Sequence, residues 1–155
     1  MYSVRNRRFG RGTVWALLAL GLALPAASLA ALGDDVGSIE RDRAAMKGTL
    51  RVTPQITYDV HEITLPSGRV REYIAAGHVF AVAWDGHTNP DLTQLLGTHV
   101  ETFHALVKPQ PGNHHVVSIR TNDMIISLRQ LPRGMEGHVI VPSLLPAGIA
   151  PAALR

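Results

Sequence analysis

The chain has 155 residues, a formal net charge of +3 and no cysteine, which excludes disulfides, thiolate metal sites, a cysteine nucleophile and lipid attachment through cysteine. Four of its 15 Lys and Arg, and none of its 12 Asp and Glu, lie in residues 1–30, so residues 31–155 carry 11 basic against 12 acidic groups, a net −1. The sequence pI of 9.8 therefore belongs largely to the N-terminal segment, and the rest has no basic stripe to neutralise phosphates, which argues against nucleic acid as a partner.

Residues 1–30 have the layout of a secretory signal peptide. Arg5, Arg7, Arg8 and Arg11 precede an apolar run from Val14 to Leu24, Pro25 breaks it, and Ser28 and Ala30 occupy −3 and −1 of a cut before Ala31. The 12 residues from Thr13 to Leu24 fall short of the roughly 20 that cross a bilayer core. Arg7-Arg8 lacks a fuller twin-arginine motif, so the general secretory route is expected. The expected product is a periplasmic or secreted domain over residues 31–155, with no membrane span left after cleavage and a core large enough to hold it without disulfides.

VGSIERDRAAMKG (36–48) predicts a helix with Val36, Ile39 and Met46 on one face and Gly48 as its C′ stop. From Thr49 the texture turns to β. ITYDVHEITL (56–65) alternates, PSGR turns, and VREYI (70–74) returns. The apolar positions switch from even (Ile56, Tyr58, Val60) to odd (Ile63, Leu65), which predicts a bulge near His61-Glu62. VFAVAW (79–84) is apolar throughout and reads as a central strand buried on both faces.

Asn89 as N-cap and Pro90 at the first helical position open a second helix. It carries Leu92, Leu95, Leu96, Val100, Phe103 and Val107 and ends before Pro109, with Gly97 inside it. After the loop PQPGNHH come strands HVVSIR, MIISLRQL and HVIV, then a tail with Pro142, Pro146 and Pro151 whose Leu144, Leu145 and Ile149 suit an ordered arm packed on the domain. The expectation is one α+β domain with an antiparallel sheet, in the order α-β-β-β-α-β-β-β plus a proline-rich arm. A mixed β-sandwich is the alternative.

The run YDVHEITLPSGRVREYIAAGHVFAVAWDGHTNPDLTQLLG (58–97), the Ala31-Leu32-Gly33 start and PSLLPAGI (142–149) resemble a family of exported bacterial proteins, the domain-of-unknown-function family 2844. The resemblance implies a small envelope or secreted protein and brings no catalytic residue or cofactor with it.

Site chemistry is sparse, and no catalytic, cofactor-binding or metal-ligating residue is assigned. The eight histidines, His61, His78, His87, His99, His104, His114, His115 and His138, lie beyond residue 30. Their spacing does not suit a metal: His99 and His104 stand roughly 140° apart on a helix, and His114-His115 diverge. With unperturbed pKa values near 6.5, the histidines would make the domain cationic below about pH 6.

VHEITLPSGRVREY supplies Glu62, Arg71, Glu72 and Tyr73. A loop from Pro66 to Arg69 would set Glu62 opposite Tyr73 and diagonal to Arg71, an ordinary surface ion pair. Ser67 sits in a turn rather than a nucleophile elbow, and Ser38, Ser118, Ser127 and Ser143 have no motif around them. Tyr58, Tyr73, Phe80, Trp84 and Phe103 read as packing residues. The functional expectation is a non-enzymatic module that binds an envelope protein or peptide or assists envelope assembly, with exposed strand edges as one place for a peptide to add. The alternatives are a hydrolase-type enzyme using Glu62, Arg71 or a histidine, and a histidine-based metal binder.

Overall fold

The computed structural model describes residues 32–108 and 115–154; the N-terminal segment expected to act as a signal peptide and His114 lie outside the described residues. A seven-stranded antiparallel sheet is built from β1 (Thr49–Pro54), β2 (Asp59–Leu65), β3 (Gly68–Ala75), β4 (His78–Gly86), β5 (Val116–Arg120), β6 (Ile125–Leu131) and β7 (Gly134–Ile140). Its spatial order is β1-β2-β3-β4-β7-β6-β5. Two meanders thus meet where β4 pairs with β7. The α+β class and the helix-first order are as expected, with one further strand, β1, separated from β2 by the bend at residues 55–58. A single sheet excludes the sandwich alternative.

One sheet face carries α1 (Ser38–Met46), α2 (Leu92–Leu96) and α3 (Val100–Leu106). Beneath them lie Ile63, Val70, Ile74, Val79, Val82, Trp84, Ile126 and Val139, all buried, with Ile39 of α1 packed into the same core. The opposite face carries Tyr73, Phe80, Ala81, Ile125 and Ile140 under the C-terminal arm, whose Leu154 is fully buried and whose Leu144, Leu145 and Ile149 pack beside it. Tyr58, Tyr73 and Phe80 form an aromatic trio there, with ring centroids 5.9–6.2 Å apart. β4 is central and buried from Val79 to Trp84, as its unbroken apolar run requires.

Both faces being buried explains the switch of alternation in β2. Tyr58 and Val60 pack under the arm, while Ile63 and Leu65 pack under the helices. No bulge is needed at His61-Glu62, and pairing runs unbroken from Asp59 to Leu65. The register shift lies instead between Tyr73 and Ile74 opposite β4, where Tyr73 pairs with Ala81 and Ile74 with Val79. The extra residue, Phe80, shares the arm-side face with Ala81.

Local chemistry corrects three further expectations. The left-handed residue closing α1 is Lys47 (φ 55°) rather than Gly48. Gly48 is required because a Cβ there would stand 2.3 Å from Ile63 Cγ2. Asn89 does not cap the second helix, because its Oδ1 accepts the Trp84 indole N–H at 3.0 Å. The cap is Asp91, whose Oδ1 accepts from the N–H groups of Thr93 (3.0 Å) and Gln94 (3.1 Å). That helix is also not continuous. Gly97, at φ 48° and ψ −122°, ends α2, and a 3₁₀ turn over Gly97–His99 re-aims the chain into α3.

Candidate functional site

The β2–β3 hairpin turns on two residues, Pro66 and Ser67, with Leu65 paired to Gly68. This shorter turn sets Glu62 directly opposite Arg71, where a four-residue loop would have made them diagonal. Gly68 is dictated by close approach, since a Cβ there would stand 2.1 Å from the Asp85 carbonyl oxygen. Glu62 and Arg71 then share the arm-side face with Arg69 and Asp85. Arg71 donates from Nε to Glu62 Oε2 at 2.9 Å and from Nη2 to Asp85 Oδ2 at 3.0 Å. Arg69 reaches Asp85 Oδ1 at 3.2 Å and Glu62 Oε2 at 3.8 Å. Arg71 is only 16 % exposed, so two carboxylates compensate a guanidinium that has lost most of its water. Tyr73 lies one row away in the aromatic trio, and Glu72 points to the other face.

Across the sheet the same rows continue. Ala83 pairs with His138, His138 with Ser127, and Ser127 with Ser118. Asp85 pairs with Glu136 and Glu136 with Arg129, whose Nη1 lies 3.3 Å from Glu136 Oε1. The C-terminal arm covers the aromatic half of this face, and its Pro151 and Ala152 border the other half. Beyond them the uncovered half forms an open trough of about 610 Å³, lined chiefly by Arg69, Arg71, Arg120, Ser127, Arg129 and His138. Arg120 makes no ion pair among the described residues. Glu62 is held by two guanidinium groups, a counter-ion arrangement rather than that of a poised base. The trough offers hydroxyl, imidazole and guanidinium groups on a rigid sheet, the donor set that recognises carboxylates and backbone carbonyls.

The sequence carried a signal for this trough that motif reasoning passed over. Arg69-Val70-Arg71, Ser118-Ile119-Arg120, Ser127-Leu128-Arg129 and Glu136-Gly137-His138 are each polar, apolar or small, polar. On strands the outer two residues of each triplet share a face. Ser118 and Ser127, which had no motif around them, become cross-strand partners.

The remaining histidines do not converge. His61 is half-buried on the helix side, where burial pushes its pKa down against the pull of Asp59. His78 begins β4, His87 meets the Arg133 carbonyl at 3.0 Å through Nδ1, His99 lies beside Gly33, and His104 packs edge-on to Phe103. His115 precedes β5. Among the described residues no three His, Asp or Glu side chains are grouped to hold a metal ion. No helix among them is long and apolar enough to cross a membrane.

A second polar assembly, unforeseen from sequence, lies on the helix side. Asp42 of α1 and Glu72 of β3 are 1 % and 2 % exposed, and their carboxyl groups are hydrogen-bonding neighbours. Gln94 Nε2 of α2 donates to Asp42 Oδ1. Burial pushes the Asp42 carboxyl up to about 6 and Glu72 well above the ordinary carboxylate value, with Asp42 adding to the rise at Glu72. A further, more apolar cavity of about 690 Å³ opens between α3 and β5–β6, lined by Leu92, Phe103, Val107, Val117 and Leu128 among others.

No curated protein and no solved structure matches the chain. The family model described as protein of unknown function (DUF2844) matches residues 28–154, from the end of the N-terminal segment through both meanders and the C-terminal arm. With that match spanning more than four-fifths of its length, the chain belongs to the DUF2844 family.

Proposed function

We propose that the chain is an exported bacterial binding module, released into the periplasm or medium by cleavage before Ala31, that holds a peptide or protein partner in the arm-side trough. The observation that carries the reading is the half-covered sheet face. The arm seals its aromatic half, whereas the other half keeps an ordered set of charged and hydroxyl side chains facing outward. A surface built only for solvation has no need of a guanidinium as shielded as Arg71. The hydroxyl and imidazole row Ser118–Ser127–His138 supplies hydrogen bonds to a peptide backbone, and Arg120 supplies a cation for an acidic side chain or chain terminus. An envelope-assembly role fits a module that recognises other exported chains.

The test is site-specific photo-crosslinking in envelope extract of the native host. A crosslinker at Ser118 is expected to yield one discrete adduct, identifiable by mass spectrometry, which Arg120→Glu abolishes. A crosslinker at Ala45, on the exposed side of α1, is expected to yield none. Failure of the Ser118 probe to give an adduct, or equal labelling from both positions, would refute trough binding.

A further inference from the structure

We propose that Asp42 and Glu72 form a proton-dependent latch: a proton held between the two buried carboxyl groups fastens α1 to the sheet, and its loss in alkaline surroundings releases the helix. Both side chains are almost fully buried, they come from different elements, and they are hydrogen-bonding neighbours. The neutral amide of Gln94 is the donor the structure shows to Asp42. No donor among the described residues reaches Asp42 Oδ2 or Glu72 Oε2. Two carboxylates side by side, each with an oxygen that no donor reaches, repel one another and lack solvent to relieve it, whereas a single shared proton turns the pair into a hydrogen bond.

The charges around the pair do not replace that proton. On the α1 side, Arg41 draws the Asp42 pKa down and Asp34 pushes it up, and both weigh less than burial. From β2, His61 stands opposite Glu72 with its Nδ1 buried and unpartnered, and its own burial disfavours the charged ring. From β4, the residue opposite Glu72 is Val82. Ser38, one helical turn before Asp42, is 1 % exposed and its Oγ has no partner among the described residues.

The sign follows from linkage. Carboxyl groups whose folded pKa values are raised hold protons that the unfolded chain has already released. The stability they support is complete below about pH 4 and declines as pH rises through the folded value, about 6 for Asp42. The test isolates the pair from the domain's other ionisable groups by substitution.

Glu72→Gln keeps the shape and supplies a permanent donor to Asp42. The experiment follows hydrogen exchange of the α1 amides, Ser38–Met46, and the urea midpoint from pH 5 to pH 9, in the wild type and Glu72→Gln. In the wild type the α1 amides are expected to lose at least tenfold protection across this range while β4 holds its own. In Glu72→Gln that loss is expected to shrink severalfold. Carboxyl 13C shifts of the wild type provide a check that needs no variant, with one of the two groups still protonated at pH 7. Equal pH profiles in the two proteins, or both carboxyl groups titrating at ordinary carboxylate values, would overturn the latch.

Discussion

Individual residues carry contributions that neighbouring side chains determine. Arg71 and Arg129 both pair with carboxylates, but Arg71 is 16 % exposed and bridges two of them, whereas Arg129 is 56 % exposed with one. Arg71→Ala leaves Glu62 and Asp85 under-compensated and is expected to cost about 2 kcal/mol; Arg129→Ala is expected to cost under about 1 kcal/mol. Urea denaturation of the two variants checks the ordering. The β3–β4 turn holds Ala76 and Gly77 at φ 51° and 84°, the pattern of a type I′ turn, which favours Asn-Gly. Ala76→Asn is expected to raise stability by about 0.5–1 kcal/mol, read from the thermal midpoint. Gly137 is needed for a steric reason, since a Cβ there would lie 2.3 Å from Trp84 Cζ2. Gly137→Ala is expected to destabilise by about 1–3 kcal/mol through overpacking.

At the level of elements, the C-terminal arm behaves as part of the core. It buries Leu154 completely and shields Tyr73, Phe80 and Ile140. Ending the chain after Val141 should expose that aromatic face and give a protein that binds a hydrophobic dye or fails to accumulate. The proline-spaced tail was legible as an arm because Leu144, Leu145 and Ile149 recur between turn residues. The aromatic trio beneath it was not, because the bulge that puts Phe80 on that face arises from pairing between β3 and β4. The helix from 92 to 106 shows the opposite failure. Its apolar spacing was clear, but the Trp84 indole takes Asn89 from its cap role, and Gly97 breaks the run.

For the whole molecule, the sheet order places β4 at the centre between β3 and β7, and β1 and β5 at the edges. Amide exchange is therefore expected to be slowest in β3, β4 and β7 and fastest in β1 and β5. The edges are moderated by exposed charge, with Arg51 on β1 and Arg120 on β5. Net charge follows the proposed export. The released form should carry a new N-terminus at Ala31, which intact mass measurement of envelope or medium fractions would show as loss of residues 1–30. Retention of Met1 there would contradict the cleavage.

The sequence by itself determined what depends on neighbours along the chain: the α+β class, the central strand at 79–84, the apolar arm and the family. These follow from periodicity, turn chemistry and motif order, which are local. Only the tertiary structure decided which polar residues meet. The two-residue turn at Pro66-Ser67 brought Glu62 to Arg71, while the β4–β7 pairing joined Arg69 and Asp85 to Glu136 and His138. Helix docking buried Asp42 against Glu72, residues thirty positions apart. Such meetings depend on register and on which sheet face is covered, and neither is encoded in any one segment.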